Sequence, residues 1–355
     1  MNNSLKPFSF KWTDNGLLVL DQTKLPTEIE YLLIDSVEAM FDAILTMKVR
    51  GAGSLSLVAA YGVYIGVKDK SYDTTEQLIN DVCEVADYLT TCRPTAVSLS
   101  VVMAKMKSCA RSHSHLQADD LKQVLLNESH YISEKSAESD TKIGEHALPF
   151  FNDGDTAITH CNTGIYASSG IGSATAPFYL GKERNINIKV YVDETRPLLQ
   201  GSRLTAHELQ QAGVDATLIC DNMAGFLMQQ GKIDKAIVGC DRIAANGDVV
   251  NKIGTYSLAV LAKHHGVPFY VTGLLEDVDY ETTSGSLVPI EERLAEEITE
   301  TFGKRTAPDG IKVYNPSFDV TPNDLITAII LDEGVVYPPF EENLLKLKNG
   351  VNNAK

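Results

Sequence analysis

The chain has 355 residues, enough for two domains of ordinary size, with 44% hydrophobic and 22% charged residues. That balance is globular and excludes a disordered chain. The net charge of −16 repels phosphate backbones and anionic lipid, which excludes nucleic acid and membrane surfaces as general partners but not a small phosphorylated ligand held by local cations.

No apolar run approaches the ~20 residues that span a bilayer. The first residues, MNNSLKPFSFKW, lack the apolar core of a secretory signal, so the expected location is the cytoplasm. The cysteines are Cys83, Cys92, Cys109, Cys161, Cys220 and Cys240, with no CxxC pair and no metal-ligand spacing among the histidines. They read as free thiols of a reducing compartment, and no metal site is expected.

In chain order, residues 8–34 predict a small β unit. The runs FSFKW, LLVLD and EYLLID are separated by Asp14-Asn15-Gly16 and by Leu25-Pro26, which suits a three-stranded meander. Residues 36–145 predict helices. Ser36 is a candidate N-cap, and Val37, Met40, Phe41, Ile44 and Leu45 recur behind it at helical spacing. The pattern continues over 57–67 and 75–89. It resumes near Thr95, after Pro94, and runs through Met106, and 118–146 is amphipathic and charged. No break in composition separates domains. The best boundary is 148–154, with Pro149 and Asn152-Asp153-Gly154, giving a β plus helical domain over 1–150 and a second domain over 151–355.

From Asp155 the pattern changes. ITHC, IKVYV, ATLIC, KAIVGC and PFYVT are short apolar runs, several rich in β-branched residues. Helical patterns fall between them, around 170–184, 202–212, 222–231 and 251–265, and Gly266 follows the last as a candidate C′ residue. Strands alternating with helices predict right-handed βαβ units and a parallel sheet buried on both faces, a Rossmann-like α/β fold. No GxGxxG follows the first strand, so dinucleotide binding is not supported. In the tail, Thr321-Pro322 reads as a helix start, and the polar stretch beyond Pro339 as a frayed end.

Ligands of open α/β sheets bind outside the carboxyl ends of the strands. That rule selects Cys161, the segment from Asp193 to Arg196, Asp221-Asn222 and Asp241-Arg242. Cys161 reads either as a small buried hydrophobe or as a thiol that moves a proton or attacks an electrophile. Its place before Asn162-Thr163-Gly164, just past a strand, favours function; Cys220 and Cys240 lie inside apolar runs and read as structural. Asp241 reads either as a salt-bridged or capping aspartate, or as a general acid raised by apolar walls against the pull of Arg242 or Lys252. Asn251 and Lys252 open the 251–265 pattern, where free N–H groups favour an anion; the alternative for Lys252 is a solvated surface. Arg50-Gly51-Ala52-Gly53-Ser54 offers a cation and small residues, which suits a close approach to phosphate or a tight helix contact. Arg93 before Pro94 is ambiguous in the same way. Gln200-Gly201 is a hydroxyl-binding loop or a turn. His160 and His207 read as structural.

Taken together these segments resemble the methylthioribose-1-phosphate isomerases, in the superfamily that also holds the regulatory subunits of translation factor eIF2B and ribose-1,5-bisphosphate isomerase. The resemblance runs from KWTDNGLLVLDQTKLP to NPSFDVTPNDLITAII. It is carried most specifically by Thr159-His160-Cys161-Asn162, Asp193-Glu194-Thr195-Arg196-Pro197, Leu199-Gln200-Gly201-Ser202-Arg203-Leu204-Thr205-Ala206, Gly239-Cys240-Asp241-Arg242-Ile243 and Asn251-Lys252-Ile253-Gly254-Thr255-Tyr256. It implies an N-terminal β plus helical domain, a Rossmann-like C-terminal domain, a homodimer and a cofactor-free aldose–ketose isomerisation in methionine salvage. Cys161 and Asp241 fall on the family's catalytic positions. Arg50, Gly51, Ala52, Arg93, Gln200, Asn251 and Lys252 fall on its substrate-binding positions.

Two segments depart from the family's usual wording. Arg50-Gly51-Ala52-Gly53-Ser54-Leu55-Ser56 stands for Arg-Gly-Ala-Pro-Ala-Ile-Gly, and Thr272-Gly273-Leu274-Leu275-Glu276-Asp277-Val278-Asp279 stands where Ala-Pro-Leu-Ser-Thr-Phe-Asp is usual. Both altered segments are candidates to line the C5 end of the substrate pocket, so beside S-methyl-5-thioribose 1-phosphate, the substrate that the resemblance implies, 5-deoxyribose 1-phosphate is the alternative, with dual activity open. The regulatory relatives offer a non-catalytic reading, against which Cys161 and Asp241 both stand.

Overall fold

The structure is a computed structural model that describes residues 8–93 and 96–354. The chain divides into two compact units. One holds the chain up to Glu138 together with Ile165–Gly172; the other holds Ser139–Gly164 and the chain from Ser173. The division falls inside one continuous helix, so no change of composition marks it.

In the first unit, strands β1 (Phe10–Thr13), β2 (Gly16–Leu20) and β3 (Tyr31–Ile34) form the expected antiparallel meander. Gly16 takes φ +134°, and a Cβ there would stand 2.8 Å from Ile34 O, so the turn needs glycine. Helices α1 (Val37–Leu45), α2 (Ala52–Lys68), α3 (Thr75–Thr90), α4 (Val97–Ser112) and α5 (Ala118–Ala147) follow. The Ser36 hydroxyl accepts the Ala39 N–H to cap α1, and Thr74 with Gln77 forms a reciprocal capping box on α3. Helix α2 is apolar around most of its circumference and sits in the middle of its unit, packed on α1, α3 and α4. Helix α4 begins at Val97 and passes Met106 to end at Ser112; Pro94 and Thr95 lie outside the described residues.

The second unit runs β4 (Thr156–Thr159), α6 (Ala176–Glu183), β5 (Lys189–Asp193), α7 (Ala206–Gln211), β6 (Ala216–Ile219), α8 (Ala224–Gln229) and β7 (Lys235–Val238). Then come β8 (Arg242–Ala244), β9 (Val249–Lys252), α9 (Thr255–His265), β10 (Phe269–Gly273), β11 (Val278–Asp279) and α10 (Glu296–Thr299). Last are β12 (Glu300–Thr301), β13 (Lys304–Arg305), β14 (Phe318–Thr321), β15 (Ala328–Leu331), β16 (Gly334–Val336) and α11 (Phe340–Ala354). Among the described residues, a seven-stranded sheet has the order β16-β15-β10-β7-β4-β5-β6 and is parallel except for β16. This is the doubly wound α/β arrangement: the chain winds outward from β4 through β5 to β6, then returns to the other side of β4 with β7. The switch point lies between β4 and β7. A smaller sheet, β11-β8-β9-β14, stands beside it.

Several expectations are corrected. Asn251 and Lys252 do not open a helix: they end β9, and α9 starts at Thr255 behind a left-handed Gly254. Thr321-Pro322 starts no α-helix. Thr321 closes β14, extended Pro322 leads into a single 3-10 turn over Asn323–Leu325, and the run after that turn becomes β15, whose residues are all buried as a central strand requires. The tail beyond Pro339 is not frayed. Phe340, Leu344 and Leu347 recur on one face of α11 and pack into the second core, which outweighs the surrounding Asn and Lys. The 170–184 pattern yields a shorter helix from Ala176, because the Ser/Gly-rich segment before it has no helix propensity.

Candidate active site

Strand β4 delivers His160 and Cys161 beyond its end, and β7 delivers Cys240 and Asp241 beyond its own. The two strands are parallel neighbours, with Ile158 opposite Ala236, so both ends open on the switch point. The loops behind them touch: a Cβ on Gly239 would stand 2.3 Å from Thr163 Cγ2.

Cys161 is buried, with 8% of its surface exposed, and takes φ +65°, a left-handed conformation that a non-glycine residue adopts only when its surroundings impose it. Those surroundings are specific. The Cys161 N–H donates to Thr195 Oγ1 at 2.8 Å, and Thr205 Oγ1 donates to Cys161 O at 2.6 Å. Thr195 is itself left-handed and fully buried, and its hydroxyl donates to Asp193 O at 3.0 Å. The Thr195 and Arg196 N–H groups each donate to the Asp221 carboxylate at 2.7 Å. Asn162 anchors the other side, donating to Thr205 Oγ1 and Glu208 Oε1.

His160 has partners that the sequence does not name. Its Nε2 donates to Ile253 O at 2.9 Å and its Nδ1 lies 3.0 Å from Asp193 Oδ2, with both side chains buried. Burial works against a charged imidazole, but the Asp193 carboxylate outweighs it and raises the His160 pKa. Burial pushes the Asp193 carboxyl up as well. The two residues thus hold a shared proton tightly. Asp193 Oδ1 has no hydrogen-bond partner.

Gln200 follows on the same side. Gly201 behind it lies so close to the Asp193 backbone that a Cβ would stand 1.7 Å from Asp193 O. Gln200 has 6% of its surface exposed, and its Oε1 is sealed without a hydrogen-bond partner. A buried amide oxygen in that state is a ready acceptor for a ligand hydroxyl.

Asp241 is half-buried and its N–H donates to Val250 O at 2.9 Å, which brings β9 against the end of β7. Arg242 pairs with Asp279 at 3.3 Å. Asn251 is buried and donates to Thr255 Oγ1, while Lys252 Nζ donates to Ser317 O and lies 4.6 Å from the Phe318 ring centroid. The start of α9 is already capped by an anion of the protein: Asp319 accepts the Gly254 and Tyr256 N–H groups at 2.7 and 3.0 Å. The expectation that Asn251 and Lys252 present a helix N-terminus to phosphate is therefore replaced by a strand end beside a capped helix.

In the first unit, Arg50, Gly51 and Ala52 lead into α2, and half-buried Arg93 follows α3. Gly51 takes φ +88° and a Cβ there would stand 2.6 Å from Ala167 Cβ; one on Gly53 would stand 2.7 Å from Ala167 O. Ser54 is fully buried and its hydroxyl meets Ser9 Oγ, Tyr166 O and Ser168 O. Gly53 and Ser54 are thus a packing solution against the 165–168 segment.

His160, Asp193 and Asp221 place ligand-type atoms within 4.8 Å of one another. Both nitrogens of His160 and both oxygens of Asp221 are engaged within the protein, however, leaving Asp193 Oδ1 alone. The cluster reads as a proton-sharing brace behind Cys161. Sequence reasoning missed it, although His160 and Asp193 both stand at strand ends.

Fold and site define a doubly wound α/β protein with a thiol and a carboxylic acid at the switch point of its sheet. The model of the Initiation factor 2 subunit family matches residues 48–338. The 5-deoxyribose 1-phosphate isomerase of Bacillus thuringiensis (strain Al Hakam) is 51% identical over 337 residues, 95% of this chain and 97% of that one. Its namesake from Clostridium botulinum (strain Kyoto / Type A2) is 50% identical over 341 residues, 96% and 98% of the two chains. Among solved structures, the 5-methylthioribose 1-phosphate isomerase from Pyrococcus horikoshii OT3 superposes with a TM-score of 0.92 at 38% identity, covering 97% of this chain and 96% of that one. The translation initiation factor eIF-2B, subunit delta, from A. fulgidus gives 0.86 at 40% identity, covering 96% and 99%. The chain belongs to the Initiation factor 2 subunit family. Within it, the protein is an enzyme of the aldose–ketose isomerase class.

Proposed function

We propose that the protein converts 5-deoxyribose 1-phosphate to 5-deoxyribulose 1-phosphate. The observation that carries the chemistry is the pairing of Cys161 and Asp241 beyond the ends of adjacent parallel strands, with the Cys161 backbone clamped in a left-handed conformation. The substrate reading is supported by relatives at about half identity over nearly their whole length, which are named for the deoxy sugar.

With phosphate esterified at C1 the sugar ring has no free hemiacetal to open. Asp241 donates a proton to the ring oxygen as the C1–O bond breaks. The C2 hydrogen then moves to C1, and the C2 hydroxyl gives up its proton as C2 becomes a carbonyl. The sum is redox neutral within one molecule. Cys161 serves this transfer either as the base that carries the C2 proton to C1 through an enolate or as a wall of a direct hydride shift. Gln200 accepts a sugar hydroxyl, and Asn251 is proposed to bind the sugar as well. Lys252 holds the phosphate and fixes C1 and C2; Arg50, Gly51, Ala52 and Arg93 are proposed as further substrate-binding residues on the resemblance alone.

Methylthioribose 1-phosphate remains a second substrate of the same site, on the strength of the Pyrococcus neighbour. The chain also works as a homodimer. Met223 and Phe226, in the turn before α8 and on α8, and Tyr256 and Val260, one turn apart on α9, are exposed apolar side chains on two packed helices, which suits contact with a second copy. Incubation with 5-deoxyribose 1-phosphate should give a ketose carbonyl by 13C NMR, lost with Cys161→Ser and with Asp241→Asn. No ketose from the wild-type protein would sink the proposal.

A further inference from the structure

We propose that His160 is a positioning residue that fixes the thiol of Cys161 relative to the ammonium of Lys252, by tying the end of β4 to the turn between β9 and α9. This deepens the isomerase reading and rests on it.

Cys161 and Lys252 belong to different sheets: Cys161 lies beyond the end of β4 in the large sheet, and Lys252 ends β9 in the small one. The residue before Cys161 and the residue after Lys252 are joined directly, because His160 Nε2 donates to Ile253 O at 2.9 Å. The opposite ring nitrogen, Nδ1, lies 3.0 Å from Asp193 Oδ2. A buried ring held at both nitrogens can neither flip nor slide. The turn makes room for it. Gly254 takes φ +104°, and a Cβ there would stand 2.8 Å from His160 Cε1 and 2.9 Å from Nε2, so the imidazole occupies the space that a side chain would need.

Each end of this tie reaches one of the two functional groups through a short chain of contacts. Toward the thiol, Asp193 meets the ring with its carboxylate and accepts the Thr195 hydroxyl on its carbonyl, and that hydroxyl accepts the Cys161 N–H. Toward the ammonium, the Ile253 N–H donates to Ser317 O at 3.0 Å, and Lys252 Nζ donates to the same carbonyl at 2.9 Å. Thr255 Oγ1 closes the turn by donating to Lys252 O at 2.6 Å. An apolar residue of the same size would fill the space but take a partner from both the Asp193 carboxylate and the Ile253 carbonyl, so packing alone does not account for a histidine. The reaction needs the phosphate on C1 held still while hydrogen moves between C2 and C1, which makes the spacing of thiol and ammonium a quantity that catalysis depends on.

The test separates the two ends of the ring. His160→Asn keeps an amide N–H near the Nδ1 position and loses the Ile253 bond, whereas His160→Gln reaches the Nε2 position and loses the Asp193 bond. With 5-deoxyribose 1-phosphate, His160→Asn should raise KM by about tenfold or more with kcat within about threefold of wild type. His160→Gln should lower kcat by about tenfold or more with KM within about threefold. Equal losses in the two variants, or no loss in either, overturn the proposal, because a merely structural brace does not tell its ends apart. The same split is read without turnover. The Kd of inorganic phosphate, by titration calorimetry, should rise only in His160→Asn. Alkylation of Cys161 by iodoacetamide, followed on its peptide by mass spectrometry, should accelerate only in His160→Gln. Any other pattern, or a wild-type protein that binds no phosphate, overturns the proposal. If the split holds but the wild-type protein is inactive on this sugar, the substrate reading alone fails. Should either variant fail to fold, Gly254→Ala, which crowds the ring from the side of the turn, decides the matter: KM should rise with kcat within about threefold, and an unchanged KM overturns the proposal.

Discussion

Replacing Thr195 with valine removes a hydroxyl and nothing else of the side chain's shape. That hydroxyl accepts the Cys161 N–H at 2.8 Å and donates to Asp193 O at 3.0 Å, and the residue is fully buried. Valine is β-branched like threonine, so the left-handed backbone at 195 stays as strained as before. The change therefore isolates two backbone groups left without a partner or water. Each costs about 1–3 kcal/mol, so the pair should destabilise the fold by about 2–6 kcal/mol. That is a large share of the ~5–15 kcal/mol that holds a typical domain together. The Cys161 backbone also loses one of its two anchors, and a misplacement of ~1 Å in a reacting group costs about a hundredfold in rate. Thr195→Ser keeps both hydrogen bonds and should stay close to wild type in both respects. Urea unfolding and kcat on 5-deoxyribose 1-phosphate, measured for both variants, check this. If valine and serine behave alike, the hydroxyl clamp is not what holds Cys161, and the reasoning fails.

Asp277→Asn should change stability with pH. The folded carboxyl is raised to about 7 by burial, against about 3.9 in an unfolded chain. Its protonated form therefore stabilises the fold fully below about pH 4, and that contribution is lost as pH rises through about 7. The variant should match wild type below pH 4 and exceed it above pH 7 by up to about 4 kcal/mol, read by urea unfolding across pH; parallel curves would contradict it. Phe226→Glu should convert the proposed dimer to a monomer in sedimentation velocity, while an unchanged state would move the interface elsewhere. A deuterium at C2 of the substrate should wash out into water if Cys161 works through an enolate and stay on C1 if the hydrogen crosses as hydride.

The doubly wound sheet was legible because its strands are short, β-branched and separated by helical periodicity, and because the strand-end rule turns that pattern into a place. Cys161 and Asp241 both follow from it. The smaller sheet was not legible. Arg242–Ala244 and Val249–Lys252 are too short to show alternation, so Asn251 and Lys252 looked like the start of the next helix. Asp319 caps that helix from 65 residues away in sequence, a distance no local pattern reports. The His160 brace is hidden for the same reason, since its partners are Asp193 and the Ile253 carbonyl. Helix α11 was masked by its polar residues, although Phe340, Leu344 and Leu347 already carried the spacing. The Gly53-Ser54 departure looked like a change in the substrate pocket; its side chains instead serve the contact with the 165–168 segment.

The most direct test of the substrate reading is a competition between 5-deoxyribose 1-phosphate and methylthioribose 1-phosphate for the wild-type enzyme. Contact with one methylthio group is worth about 1–3 kcal/mol, or about 10–200-fold in kcat/KM. The account predicts that the deoxy sugar is turned over with a kcat/KM equal to or above that of the thioether sugar. A preference for the thioether sugar of a hundredfold or more would contradict the substrate, and turnover of neither would contradict the isomerase reading itself.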